Sequence, residues 1–105
     1  MTITTAEAKF SVGQLIHHRL FGYRGVIADI HPVFQGTDEW YEQVALSRPP
    51  MDEPWYRVLP HGATHETYVA ERNLEPDTQG GPILHPMVEV LFGDLRDGVY
   101  VHMVH

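Results

Sequence analysis

Cysteine is absent, which removes disulfides, thiol catalysis and every cysteine-based metal site. Lysine is nearly absent. Lys9 is the only one and sits in a polar opening stretch, a poor setting for lysine chemistry. Serine occurs only at Ser11 and Ser47, and neither lies in a G-x-S-x-G elbow. No Walker motif, G-x-G-x-x-G or H-E-x-x-H occurs. No apolar run approaches the roughly 18 residues of a membrane span. The opening Met1–Ala8 has neither the basic nor the apolar region of a signal peptide. These absences predict a non-enzymatic protein without cofactor or metal, placed in the cytoplasm and not in a membrane.

Positive charge is also scarce. Fourteen acidic residues face seven basic ones, a net charge of −7 with histidine neutral. Phosphate binding draws its affinity from Lys and Arg, so the balance disfavours nucleic acid and suits docking on a basic protein surface. Eight histidines would offset most of that charge below about pH 6.5. His17 and His18 are adjacent in an extended stretch and point to opposite faces, so they cannot chelate one ion. His61 and His65 flank a turn and could approach each other, but no third ligand has helpful spacing.

At 105 residues the chain is one domain, 43% hydrophobic and 20% charged. Residues 1–9 read as a loose arm. Alternation over Leu15–Leu20 predicts a strand, with Ile16, His18 and Leu20 on one face. Phe21-Gly22-Tyr23 turns into a second strand over Arg24–Ile30, which His31-Pro32 ends. Thr37 caps a short helix over Gly36–Leu46, with Asp38, Glu39 and Glu42 near its positive end. Trp55–Leu59 and Thr64–Val69 form a second hairpin around Pro60–Ala63. Ala70–Leu74 is a tight turn leading into a short closing strand. After a linker at Asp77–Pro82, Val88, Leu91, Phe92 and Leu95 make a helical stripe that Pro86 opens and Gly98 stops. Val99–Val104 is a last strand. The sum is a mainly β fold: a small, partly open barrel of about five strands, a short helical crossover and a C-terminal helix packed on the barrel.

Five ordered blocks carry a resemblance: Phe10–Gln14, Leu20–Ile27, Asp29–Phe34, Pro54–Leu59 and Thr67–Leu74. Together they resemble the YccV-like family, also called the hemimethylated-DNA-binding domain, over Phe10 to Pro76. Residues 77–105 lie outside the resemblance. It implies an SH3-like barrel and no catalysis. It implies two roles: binding of hemimethylated DNA with effects on replication-initiator expression, and heat-shock proteostasis with the Lon protease and its substrates. It also implies self-association, with a trimer as the candidate state.

Two residue sets are candidate sites. Arg19, Phe21, Tyr23 and Arg24 bring aromatics and arginines together at the first hairpin turn, a pattern that could stack on bases. A packed turn with solvated arginines is the plainer reading. Trp40 and Tyr41 on the acidic helix are the candidates for a protein-binding surface. Trp55 and Tyr56 belong to the same aromatic set, with Trp55 read as core. The charge balance favours protein docking and modulation of Lon-dependent proteolysis, with hemimethylated DNA as the alternative ligand.

Overall fold

Val26 and Ile27 are neighbours in one strand, and both are fully buried. Successive side chains of a strand point to opposite faces, so the sheet that contains them must be covered on both sides. The computed structural model, which describes residues 7–45 and 47–103, shows how. Strands β1 (Leu15–His18), β2 (Arg24–His31), β3 (Trp55–Pro60), β4 (Thr67–Ala70) and β5 (Leu74–Pro76) form one antiparallel sheet. Its hydrogen-bonded order is β4-β3-β2-β1-β5, so β4 and β5 are the edges. A single 3₁₀ turn, Glu71–Asn73, joins those two edges.

One face of the sheet gathers Phe10, Ile16, Ile27, Tyr56, Val58, Val69 and Leu74. A polar knot sits beside them. The Tyr56 hydroxyl donates to Glu71 Oε2 at 2.5 Å, and the Lys9 backbone N–H donates to the same oxygen at 2.9 Å. Residues 1–6 of the arm read over 1–9 lie outside the described residues. Lys9, by contrast, is tied to the core through this bond. Burial, then the bond to Glu71, push the Tyr56 hydroxyl well above the ordinary tyrosine range.

The opposite face is covered in two halves. Trp55 and Ala70 pack with Ala45 under Phe34, Trp40, Tyr41 and Tyr68, so the crossover helix α1 (Asp38–Val44) roofs that half. Thr37 caps α1 as its sequence indicates, accepting the Trp40 N–H at 3.1 Å. Leu15, Val26 and Leu59 form the other half, packed with Ile83, Val88, Phe92 and Tyr100 of the C-terminal region. The apolar stripe of that region is therefore buried against the chain's own sheet.

The stripe is not the long helix expected from its spacing. Helix α2 is one turn, Val88–Leu91, and the chain then enters a hairpin of β6 (Phe92–Arg96) and β7 (Val99–His102). Asp97 and Gly98 link Arg96 to its partner Val99, with φ of 53° and 78°. Those left-handed values fit a two-residue hairpin turn, for which Asp-Gly is a strong signal. A register irregularity between Phe92 and Leu95 puts two residues three apart on the same side. A bulged strand therefore imitates helical periodicity.

The hairpin is fastened to β1. Leu15 N–H donates to Gly98 O at 3.1 Å, and Tyr100 N–H donates to Gly13 O at 2.7 Å. Gly13 has φ of 90°, and a Cβ there would lie 2.3 Å from the Tyr100 carbonyl oxygen. Only glycine allows that approach.

Candidate functional site

The short turn between β1 and β2 leaves large apolar side chains in the open. Leu20 and Phe21 are 58% and 76% exposed, and Val44 on α1 is 55% exposed. All three line a single groove of about 830 Å³. Its walls are the β1–β2 turn, the whole of β4, and α1 with the segment that follows it. Contiguous exposed apolar surface of this kind marks an interaction site.

Two aromatic groups meet there. On the turn side, His18 stacks on Phe21 with ring centroids 4.7 Å apart and tilts against Tyr23 at 5.0 Å. On the helix side, Trp40 lies edge-on to Tyr68 at 5.7 Å and to Trp55 at 6.1 Å. Such pairs hold one another in fixed geometry. The Tyr23 hydroxyl bonds to Thr67 Oγ1 at 2.7 Å and so ties β2 to β4. Burial raises the Tyr23 hydroxyl above its ordinary value, against the lowering effect of Thr67.

His18 holds the turn. It is 4% exposed, and its Nδ1 accepts the N–H groups of Leu20 and Phe21, both at 3.1 Å. An acceptor at Nδ1 requires the neutral ring with its proton on Nε2. Burial, and then the neighbouring His17, lower its affinity for a second proton.

Tyr68 is fixed in a similar way. Its hydroxyl accepts the Gln35 N–H at 3.1 Å and bonds to His31 Nδ1 at 2.7 Å. His31 Nε2 in turn faces Asp29 Oδ2 at 3.4 Å. Burial comes first in raising the Tyr68 hydroxyl above its ordinary value.

The structure redistributes the residues read from the sequence. Phe21 and Tyr23 from one candidate set, and Trp40 from the other, line the same groove. Tyr41 does not. Its hydroxyl donates to Pro49 O at 2.8 Å, and the Arg48 guanidinium lies 5.6 Å from its ring centroid, so it anchors the connection after α1. Arg19 is exposed beside the groove, with its backbone N–H on Asn73 O. Arg24 is committed elsewhere: it forks onto Asp77 at 2.9 and 3.2 Å and donates to Gly81 O at 2.5 Å. Trp55 and Tyr56 are core residues.

Residues that sequence reasoning passed over complete the site. Tyr68, His18, Leu20 and Val44 all line the groove. Outward parity in β4 was the available signal for Tyr68. The spacing of four from Trp40 puts Val44 on the same face of the helix, whereas nothing local in the sequence places His18 beneath Phe21.

Electrostatics around the groove are acidic. Asp38 and Glu39 stand exposed in the first turn of α1. Arg24, Arg48, Arg57 and Arg96 each face a carboxylate within 4 Å. That leaves two of the six arginines, Arg19 and Arg72, without a carboxylate partner among the described residues. No described helix is long and apolar enough to cross a membrane.

One comparison with known families bears on this geometry. The model described as hemimethylated DNA-binding protein YccV like matches residues 8–99. The match takes in the five-stranded sheet, the groove and the C-terminal region as far as Val99, well past the point where the resemblance read from the residues stopped. This chain belongs to the YccV-like family.

Proposed function

We propose that the protein is a non-catalytic binding module that holds partner proteins in the aromatic groove and modulates Lon-dependent proteolysis as an adaptor or specificity factor. The observation that carries this reading is the exposure of Leu20, Phe21 and Val44 on the walls of one groove. A monomeric surface gains nothing from holding three large apolar side chains in water around a cleft, whereas a partner can bury them. The net charge of −7 supports a basic protein partner. The link to Lon and to the stress response rests on the family resemblance alone. Within the same reading, the sheet is an SH3-like barrel left open between β4 and β5, and the protein acts in the cytoplasm as a self-associated species.

Hemimethylated DNA is the second reading. The description of the matched family favours it, as does exposed Arg19 beside Phe21. Against it weighs the pairing of most arginines with carboxylates, which leaves few cations for phosphates.

The test is a degradation assay with purified Lon and a model substrate, run with the wild-type protein, Phe21→Ala and Trp40→Ala. The wild type changes the rate, and both variants blunt the change while keeping the wild-type circular dichroism spectrum. An unchanged rate at every concentration of wild type sinks the Lon reading. Duplexes in hemimethylated, fully methylated and unmethylated form, titrated at two salt concentrations, test the second reading. It stands only with a methylation preference and a fall in affinity with salt.

A further inference from the structure

Strand β4 ends the sheet, and its outer edge carries unused hydrogen-bonding groups. Their identity follows from the register. Glu71 N–H donates to Pro54 O at 3.0 Å, which makes that pair a hydrogen-bonded one. Bonded and non-bonded pairs alternate along an antiparallel ladder. Trp55↔Ala70 and Arg57↔Tyr68 are then non-bonded pairs, and Tyr56↔Val69 and Val58↔Thr67 bonded ones. The other side of β3 agrees: His61 N–H donates to Arg24 O, which turns Leu59 toward β2 and Val58 toward β4. Tyr68 and Ala70 therefore point their N–H and C=O groups away from the sheet. Ala70 also caps the 3₁₀ turn Glu71–Asn73, so its C=O accepts the first bond of that turn. Among the described residues, the groups left open on the edge are the Tyr68 N–H and C=O and the Ala70 N–H.

All four residues of β4 line the aromatic groove. A free strand edge and a row of apolar side-chain contacts thus lie along the same cleft. We propose that the groove accepts an extended, apolar and basic segment of a partner protein as an added strand on β4. This deepens the groove reading above and rests on it. Main-chain bonds to Tyr68 and Ala70 supply register, and alternate side chains of the segment meet Phe21, Trp40 and Val44. The three open groups, Tyr68 N–H and C=O and Ala70 N–H, accommodate about three residues of ligand, roughly 10 Å at the antiparallel rise. The basic flanks follow from charge complementarity. Asp38 and Glu39 beside the groove have no basic partner among the described residues, and the whole chain carries −7. Nearby Glu66 and Glu42 are neutralised by Arg57 at 2.7 Å and Arg48 at 3.1 Å, so the unpaired negative charge at this end is that of Asp38 and Glu39.

The experiment is fluorescence polarisation with a labelled peptide KKVFVTKK. Two backbone-methylated versions are compared, each N-methylated at one of the two alternating sets of central amides. Strand addition predicts that one set lowers affinity at least about fivefold, through the loss of the bond to the Tyr68 C=O, while the other changes it by less than about twofold. The peptide EEVFVTEE binds about tenfold more weakly, and Phe21→Ala weakens the parent peptide. If the parent binds and Phe21→Ala weakens it, but both methylated sets behave alike, strand addition is overturned and the groove reading survives. If the parent does not bind and a hemimethylated duplex does, both fail.

Discussion

Replacing Arg24 with alanine separates a structural role from a ligand-binding one. The Arg24 side chain is 13% exposed and that of Asp77 is 2% exposed, so the pair is largely shielded from water. The substitution removes three hydrogen bonds: two to Asp77 and one to Gly81 O. It leaves the Asp77 carboxylate with the Gly80 N–H at 2.8 Å. Breaking a buried pair by removing one partner costs about 3–5 kcal/mol, and the surviving Gly80 bond places the loss near the lower end. With a urea slope of about 1.5 kcal/mol/M, a loss of about 3 kcal/mol lowers the unfolding midpoint by about 2 M. Arg24→Ala with Asp77→Ala recovers part of the loss, because no buried charge remains unpaired. The effect also depends on pH. Burial by itself would raise the Asp77 carboxyl, but the bonds from Arg24 and Gly80 and the arginine charge hold it below the ordinary 3.8. A lowered folded value means the contribution is present above about pH 3.8 and fades as pH falls through that lower value. Equilibrium urea unfolding of the wild type, both single variants and the double variant checks this. A loss under about 1 kcal/mol for Arg24→Ala, with strictly additive double-variant data, refutes the reasoning and frees Arg24 for a ligand.

Three further outcomes follow from the same geometry. Gly13→Ala forces a left-handed φ on alanine and drives its Cβ into the Tyr100 carbonyl, so stability falls by about 2 kcal/mol or more; hydrogen exchange at the Tyr100 amide reports it as lost protection. Tyr56→Phe leaves the buried Glu71 carboxylate without its strongest donor and costs about 1.5–3 kcal/mol, read as a lower unfolding midpoint. The folded value of His18 is lowered, so the stability it confers is complete above about pH 6.5 and declines as pH falls below that. Protection factors of the Leu20 and Phe21 amides, taken relative to the intrinsic base-catalysed exchange rate at each pH, fall between about pH 7.5 and 5.5 in the wild type, and unchanged protection factors would count against the Nδ1 acceptor role.

Four strands of the main sheet were legible as short alternating or β-branched runs, and β5 only as a short closing strand after the tight turn at Ala70–Leu74. The adjacent pair Val26-Ile27 already signals a strand covered on both faces. Thr37 announced the crossover helix through its capping chemistry. The C-terminal region misled because Val88, Leu91, Phe92 and Leu95 come from one helical turn and a bulged strand that together imitate a single helix. Asp97-Gly98 carried the hairpin signal, but a glycine after an apolar stripe reads equally well as a helix stop.

Local rules of spacing, turn chemistry and charge thus settled the element order as far as β5, the mainly β class and the scarcity of basic residues. Only the tertiary structure decided which side chains share a cleft. Phe21 and Trp40 are nineteen positions apart in sequence and come together because the sheet curls the β1–β2 turn toward β4 and α1. The same long-range packing withdrew Arg24 to Asp77 and Tyr41 to Pro49. Periodicity fixes the face on which a side chain lies; what lies opposite that face depends on contacts far away in the chain.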